Sequence, residues 1–196
     1  MSLEVLTDPR VRSVEWHDLL KLSRWEVLSE LFIWLPWAAM SWYFAHVELY
    51  PLALFCSFML FLTGLRLVHN AYHYAIGIPR VATEWVIYAM SVLMLFSMHA
   101  VQFNHLRHHR HCMDDEDVEA MSARVPGWKA LIMGPYFPFM LHVTALKLGS
   151  PRIKRWVLFE LFTTVALLYI GFFVLDIAFF KYHLAIMVIG QCFTAF

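Results

Sequence analysis

The sequence predicts an all-α membrane protein: a multi-pass bundle of four transmembrane helices, with cytosolic or interfacial helices between them. Hydrophobic residues make up 61% of the 196 residues and charged residues only 15%, whereas an ordinary soluble domain is about 45–50% apolar and about 25% charged. A soluble domain of this size has too little interior to bury so much apolar surface. The apolar residues also fall into runs close to the length, about 17–25 residues, that spans a bilayer core.

The charge balance and the cysteines exclude other classes. Fifteen Lys and Arg residues balance fifteen Asp and Glu residues, so no global field attracts nucleic acid and we expect no nucleic-acid partner. Cys56, Cys112 and Cys192 share no CxxC spacing, which argues against a disulfide framework or a structural zinc site. Histidine, with 11 residues, is the unusual residue type.

The first element is predicted in the N-terminal segment, which mixes both charges, unlike a secretory signal peptide. Ser13 is a plausible N-cap, and Trp16, Leu19, Leu20 and Val27 follow at helical spacing. We interpret this segment as an interfacial amphipathic helix that leads into the membrane. An ordinary helix start without a lipid role is the alternative.

The next elements are three apolar runs and one broken segment. Residues 31–47 and 52–68 predict a helical hairpin of two spans around a polar break, and residues 85–103 form the third run. Residues 127–149 contain Gly134 and two prolines. Because these residues interrupt a helix, we expect that segment to be interfacial rather than spanning.

The last elements are a long apolar run at 156–180 and an apolar run at 184–196. The polar residues 181–183 separate them and belong to a turn expected at 176–183. A helix of the latter length reaches about 20 Å, against about 30 Å for the hydrocarbon core. We therefore expect the fourth span to be cut short, and the single membrane domain of residues 1–196 to be C-terminally incomplete.

Lysine and arginine predict the orientation of the chain. The turns at 46–51 and 176–183 together contain only Lys181, and the other 14 of the 15 Lys and Arg residues lie elsewhere. By the positive-inside rule, the segments that carry those residues are cytoplasmic. We therefore expect an integral, multi-pass membrane protein with residues 66–147 largely on the cytoplasmic side.

Two histidine clusters are the candidate metal site. His69 and His73 stand four residues apart, and His105 is followed by His108 and His109. On a helix, residues three and four apart lie about 5–6 Å from each other on one face, and neutral imidazole suits iron, zinc, copper and nickel. HxxxH is common by chance in a histidine-rich chain, whereas HxxHH is much rarer and carries more weight.

This pattern resembles the membrane-bound fatty acid desaturase and hydroxylase superfamily. HxxxH stands at the expected cytoplasmic end of the second span, and HxxHH follows the third apolar run. The resemblance implies that His69, His73, His105, His108 and His109 are ligands of two iron ions, with O2 as co-substrate. The family's third histidine box is absent from these 196 residues.

The resemblance also implies a function in lipid metabolism: desaturation or hydroxylation of a lipid acyl chain, with electrons from a ferredoxin or a cytochrome b5-type protein. A carotenoid hydroxylase or ketolase of the same superfamily is one alternative. An inactive fragment or a non-catalytic metal-binding membrane protein is another. A bis-histidine haem protein is disfavoured, because it would need single histidines facing inward from the middle of spans.

A shared metal centre places a condition on the topology. If residues 85–103 crossed the bilayer once, His69 and His105 would lie on opposite faces of the membrane. We therefore predict that this run does not span, although its length and lack of charge favour a span. It would lie at the interface, enter and return, or pack beneath the cytosolic cap.

Several neighbours are candidates to orient the imidazoles through their second nitrogen: Asn70, Asn104, the acidic residues 114–117, and Glu119. We favour the interpretation of the acidic run as a solvated cytosolic loop. Packing is the favoured role of His99, with orientation of the ligands as the alternative. Met90, Met94 and Met98 recur every fourth residue and are interpreted as core packing.

Overall fold

The computed structural model describes residue 9 and residues 21–112, 114–175 and 178–191, and throughout these residues the regular structure is helical, without a β-strand. A 3-10 helix, Glu119–Arg124, separates the fifth and sixth α-helices, and a π-helical turn, Ile170–Val174, continues the eighth. In chain order the described α-helices are α1 Arg24–Phe32, α2 Leu35–His46, α3 Tyr50–Tyr72, α4 Arg80–Met94, α5 Met98–His111, α6 Gly127–Met133, α7 Tyr136–Leu148, α8 Pro151–Tyr169 and α9 Ala178–Gln191.

Two helical segments are long and apolar enough to cross a membrane, Tyr50–Tyr72 and Pro151–Val174. Two further pairs, α4 with α5 and α6 with α7, also qualify by length and composition, but each pair is sharply bent. The described chain therefore has two candidate spans, or up to four if each bent pair is one span. The described part of the chain is thus all-helical, with apolar helices suited to a membrane.

The N-terminal part differs from the prediction. Most of the helix expected from Ser13 lies outside the described residues, and residues 21–23 are not helical. A separate helix, α1, begins after Ser23, which forms a reciprocal capping box with Glu26. This cap starts a new helix where the apolar spacing alone suggested a continuous one.

The predicted first span at residues 31–47 is not one helix. The chain breaks at Ile33 and Trp34, and α2 has 12 residues, a length of about 18 Å. Pro36 occupies the second position of α2, where its missing N–H is tolerated, but it could not continue a helix from α1. The apolar run thus contributes two short helices.

The main core lies between α3 and α4. Met90, Met94 and Met98 are all buried in it, so their predicted packing role is confirmed. A Cβ atom placed on Gly64 of α3 would lie 3.0 Å from Met90 Cε and 3.1 Å from Met94 Sδ. Glycine at this position therefore allows the methionine side chains to approach the α3 backbone closely.

The run at residues 85–103 is not one straight helix. The bent pair fits either a broken span or a re-entrant loop, so the expectation that this run does not span stays a prediction. The helices α4 and α5 meet at an angle of 114°. Leu95 ends α4 in the left-handed conformation, with φ of 54°, and Ser97 caps α5 by accepting a hydrogen bond from the Ala100 N–H. Residues 95–97 thus turn the chain sharply before the second histidine cluster.

The predicted break at Gly134 is also confirmed, because α6 and α7 meet there at 64°. The polar turn expected at residues 176–183 is wrong for residues 178–183, since α9 begins at Ala178 and contains them. One reason is that His183 is buried within the bundle: its Nδ1 accepts a hydrogen bond from Trp42 Nε1 at 3.1 Å, and its Nε2 lies 3.2 Å from the Leu93 carbonyl oxygen.

Candidate metal centre

The first histidine cluster lies at the C-terminal end of α3. His69 belongs to the last turn of α3, and His73 directly follows the helix. Their ring centroids are 5.2 Å apart, as the spacing of four residues predicts. Both side chains are exposed, so an ion could reach them.

The second cluster approaches the first from α5. His105 Nε2 lies 3.1 Å from His73 Nε2 and 3.1 Å from His109 Nε2. The His69 ring centroid is 4.8 Å from that of His105. The ligand atoms of His69, His73 and His105 all lie within 4.8 Å of one another. Four imidazoles from α3, its C-terminal cap and α5 therefore converge, and we call His69, His73, His105 and His109 the histidine cluster.

The spacing in this cluster fits metal ligation. Two nitrogens that bind one ion at about 2.0–2.1 Å lie roughly 3.0–3.4 Å apart, and both Nε2–Nε2 distances from His105 are 3.1 Å. A set of neutral imidazoles suits a transition metal such as iron better than calcium or magnesium, which prefer oxygen ligands. The residues present therefore fit a transition-metal ion.

Two carboxylates orient the imidazoles of α5. His105 Nδ1 lies 3.0 Å from Glu119 Oε1, and His108 Nδ1 lies 2.7 Å from Asp117 Oδ2. An Nδ1–H that donates to a carboxylate leaves the Nε2 lone pair available to a metal. Asp117 also accepts a hydrogen bond from the Ala120 N–H, so the start of the 3-10 helix fixes its position.

The interpretation of the acidic run as a solvated loop is therefore wrong for part of the run. Asp117 is only 3% exposed, and its carboxylate faces an imidazole. Asp115 and Glu116 are exposed and pair with arginine side chains, as in a solvated loop. A sequence pattern reports the charge of such a segment but not the direction in which each carboxylate points.

His108 stands apart from the histidine cluster. Its ring centroid is 6.4 Å from that of His105 and 5.9 Å from that of His109. Asp117 engages its Nδ1, so Nε2 is the nitrogen that remains for a metal. The structure thus brings four of the five predicted ligands together and leaves His108 beside them.

The two asparagines proposed to orient imidazoles form hydrogen bonds to other groups instead. Asn70 Nδ2 donates to Glu30 Oε1 at 2.7 Å, and Arg66 also binds Glu30. Asn104 Nδ2 donates to the carbonyl oxygens of Ala100 and Leu141. The contacts of Asn70 tie α1 to α3, and those of Asn104 tie α5 to α7. They position the helices rather than the rings.

Electrostatics keeps His73 in the form that binds metals. Burial lowers the pKa of His73, and the three neighbouring imidazoles lower it further, because a second positive charge is unfavourable beside them. His73 lies beyond the end of the α3 span at Tyr72. The lowered pKa favours the neutral imidazole, which is the form that binds metals.

Sequence reasoning missed a second polar group, formed by Glu84, His99 and Glu160, which are 4%, 0% and 1% exposed. His99 Nδ1 lies 2.5 Å from Glu160 Oε1, and His99 Nε2 lies 3.1 Å from Glu84 Oε2. The packing role favoured for His99 is therefore incomplete. Glu160, a charged residue inside a long apolar run, was the available signal, since such residues mark functional sites in membrane helices.

Comparison of the chain with protein-family models, with curated proteins and with solved structures finds no match.

Proposed function

We propose that the chain belongs to a membrane oxidoreductase that uses O2 to desaturate or hydroxylate a lipid acyl chain at a histidine-ligated iron centre. The observation that carries this proposal is the convergence of the histidine cluster, with three Nε2 atoms linked by distances of 3.1 Å. Its second support is the motif pair HxxxH and HxxHH, which resembles the desaturase and hydroxylase superfamily.

The protein's own residues would hold and orient the metal. His69, His73, His105 and His109 are the proposed ligands, and Glu119 orients His105 through its Nδ1. Iron bound there would supply the redox chemistry that attack on an unactivated C–H bond requires, which no side chain can supply. The resemblance implies two iron ions, and His108, held by Asp117, is the proposed contributor to the second.

The proposed setting is a multi-pass membrane protein with the histidine cluster on the cytoplasmic side. Two helices suited to spanning, and two bent pairs that also qualify, support this setting, as does the distribution of Lys and Arg. The proposed substrate is a lipid or acyl chain within the bilayer. A ferredoxin or a cytochrome b5-type protein would deliver the electrons from the cytoplasm.

A non-catalytic metal-binding membrane protein is the competing proposal. It is favoured by one observation: in the described part of the chain, a single compact group of metal-ligating side chains is found, and it consists of His69, His73 and His105. Iron content and turnover separate the two proposals. A carotenoid hydroxylase or ketolase would share the same ligands and would be recognised by its products.

The test is iron loading of the purified chain in detergent. We expect bound iron, no Soret band, and loss of iron in the His105→Ala variant, because His105 is the centre of the cluster. His111→Ala is the matched control: His111 lies on the same helix but pairs with Asp114. Iron absent from the wild-type chain, or lost equally in both variants, would contradict the proposal.

Activity is measured on the full-length protein with reduced ferredoxin, O2 and acyl lipids. We expect desaturated or hydroxylated lipid from the wild type. His108→Ala or His109→Ala should abolish product while membrane insertion is unchanged. Bound iron without any product would favour the non-catalytic alternative.

A further inference from the structure

The Glu84–His99–Glu160 group lies where the chain turns toward the histidine cluster. All three side chains are buried. Burying charged groups costs free energy unless they are paired and hydrogen-bonded. Here every partner is present, so the group is a complete polar network inside the bundle.

Glu160, on α8, bonds to both arms of the 114° bend. On the α4 side, Ser91 Oγ donates to Glu160 Oε1 at 2.7 Å. On the α5 side, Ser97 Oγ and the His99 N–H donate to Oε2 at 2.6 and 3.3 Å. The His99 ring lies 2.5 Å from Oε1. A single carboxylate thus joins the last turn of α4 to the first turn of α5.

The far side of the His99 ring is held as well. Glu84 Oε2 faces His99 Nε2, and Glu84 Oε1 accepts hydrogen bonds from the Tyr74 hydroxyl at 2.5 Å and from Arg152 at 3.0 Å. Trp156 stacks on the His99 ring, with centroids 4.6 Å apart and planes within 3°.

The position of α5 controls the geometry of the histidine cluster. His105 lies six residues after His99 on this helix, about 9 Å along the axis. A tilt of about 6° at the bend would therefore move His105 by about 1 Å. Metal and catalytic sites require their groups within roughly 0.5 Å of the productive geometry. Residues that hold the bend therefore determine whether His105 and His109 meet His69 and His73.

We propose that Glu160 is a positioning residue for the metal centre: its carboxylate clamps α4 to α5 and so sets the position of His105 and His109. This inference rests on the proposed function only in that the histidine cluster binds a metal. It does not depend on the reaction or the substrate. Glu160 acts through the helix and is not itself a ligand.

The test compares Co(II) binding to the purified full chain and its variants in detergent, because Co(II) reports ligand geometry through its visible spectrum. Glu160→Gln keeps the size of the side chain but replaces one acceptor oxygen by a donor amide opposite existing donors. We expect affinity to fall about 10–100-fold, the range typical for lost supporting partners, with an altered spectrum and unchanged helix content.

A second, smaller substitution tests the same proposal if Glu160→Gln misfolds. Ser91→Ala removes one bond to Glu160, and also the bond that Ser91 Oγ accepts from the Met98 N–H across the bend. Ser57→Ala is the control, since Ser57 is also buried and its hydroxyl bonds to Ser41 at 2.7 Å, between α2 and α3 and away from the bend. We expect weaker Co(II) binding in Ser91→Ala and wild-type binding in Ser57→Ala.

The outcomes separate the two proposals. If the wild-type chain binds no metal, both the proposed function and the positioning role of Glu160 are contradicted. If the wild type binds Co(II), and Glu160→Gln and Ser91→Ala bind it with the same affinity and spectrum, the clamp is overturned while the metal centre stands. Equal losses in Ser91→Ala and Ser57→Ala would also overturn it, because the effect would then be general destabilisation.

Discussion

At the scale of single residues, His105 is the best-supported side chain in the site. Its Nε2 faces His73 and His109, while Glu119 holds its Nδ1. One nitrogen thus faces the other histidines of the cluster, and a carboxylate fixes the other. This division of roles is the usual way in which proteins select the tautomer of a metal ligand.

Asp117 provides a residue-scale prediction. Asp117→Asn removes the carboxylate that holds His108 Nδ1 at 2.7 Å, so we expect metal affinity or turnover to fall roughly 10–100-fold, with the fold intact. The measurement is iron content together with product formation in the full-length protein. Asp114→Asn is the control, because Asp114 pairs with the outlying His111. Equal effects of the two changes would argue against a role for His108.

The lowered pKa of His73 predicts how proton competition behaves. Metal binds the neutral imidazole, and protonation displaces it. Because its pKa lies below the usual value, His73 stays neutral to a lower pH than an ordinary histidine. We expect histidine NMR of the metal-free protein to show His73 titrating at lower pH than typical exposed histidines. A normal or raised value would contradict the arrangement of the cluster.

At the scale of elements, the close approach of α3 and α4 supports the site, because α3 carries the first histidine pair. Gly64→Leu would push its side chain against Met90 and Met94, and overpacking of this kind costs about 1–3 kcal/mol. We expect a lower Tm and weaker metal binding. Thermal unfolding in detergent is the measurement.

Gly127→Leu is the control for that substitution. A Cβ atom at Gly127 meets nothing within 4 Å, so the added side chain has space. We expect a Tm close to that of the wild type. A similar fall in Tm for both variants would show that the loss comes from glycine replacement itself rather than from crowding at α3 and α4.

At the scale of the whole molecule, both histidine motifs must share one side of the membrane, and the proposed side is the cytoplasm. Cys112 follows α5 and is exposed, whereas Cys56 is buried. In a Cys192→Ser background, a membrane-impermeant maleimide should label Cys112 in inside-out vesicles only, with Cys56 unreactive. Labelling from the opposite face alone would reverse the proposed topology.

The sequence by itself predicted the helical class, the two histidine motifs and the break near Gly134. Apolar runs and helix-breaking residues act locally, through the backbone and the cost of exposing apolar surface. The spacing of His69 and His73 also predicts their shared face, because helical periodicity is a property of the adjacent chain. These features needed no knowledge of distant contacts.

Only the tertiary structure decided which polar groups meet. It turned Asp117 and Glu119 toward imidazoles, left His108 outside the cluster, and joined Glu84, His99 and Glu160 from three separate helices. Glu160 stands 61 positions from His99 in the chain, and no local pattern encodes such a pairing. Buried charges find their partners through the packing of whole helices, because an unpaired charge inside the bundle would cost too much free energy.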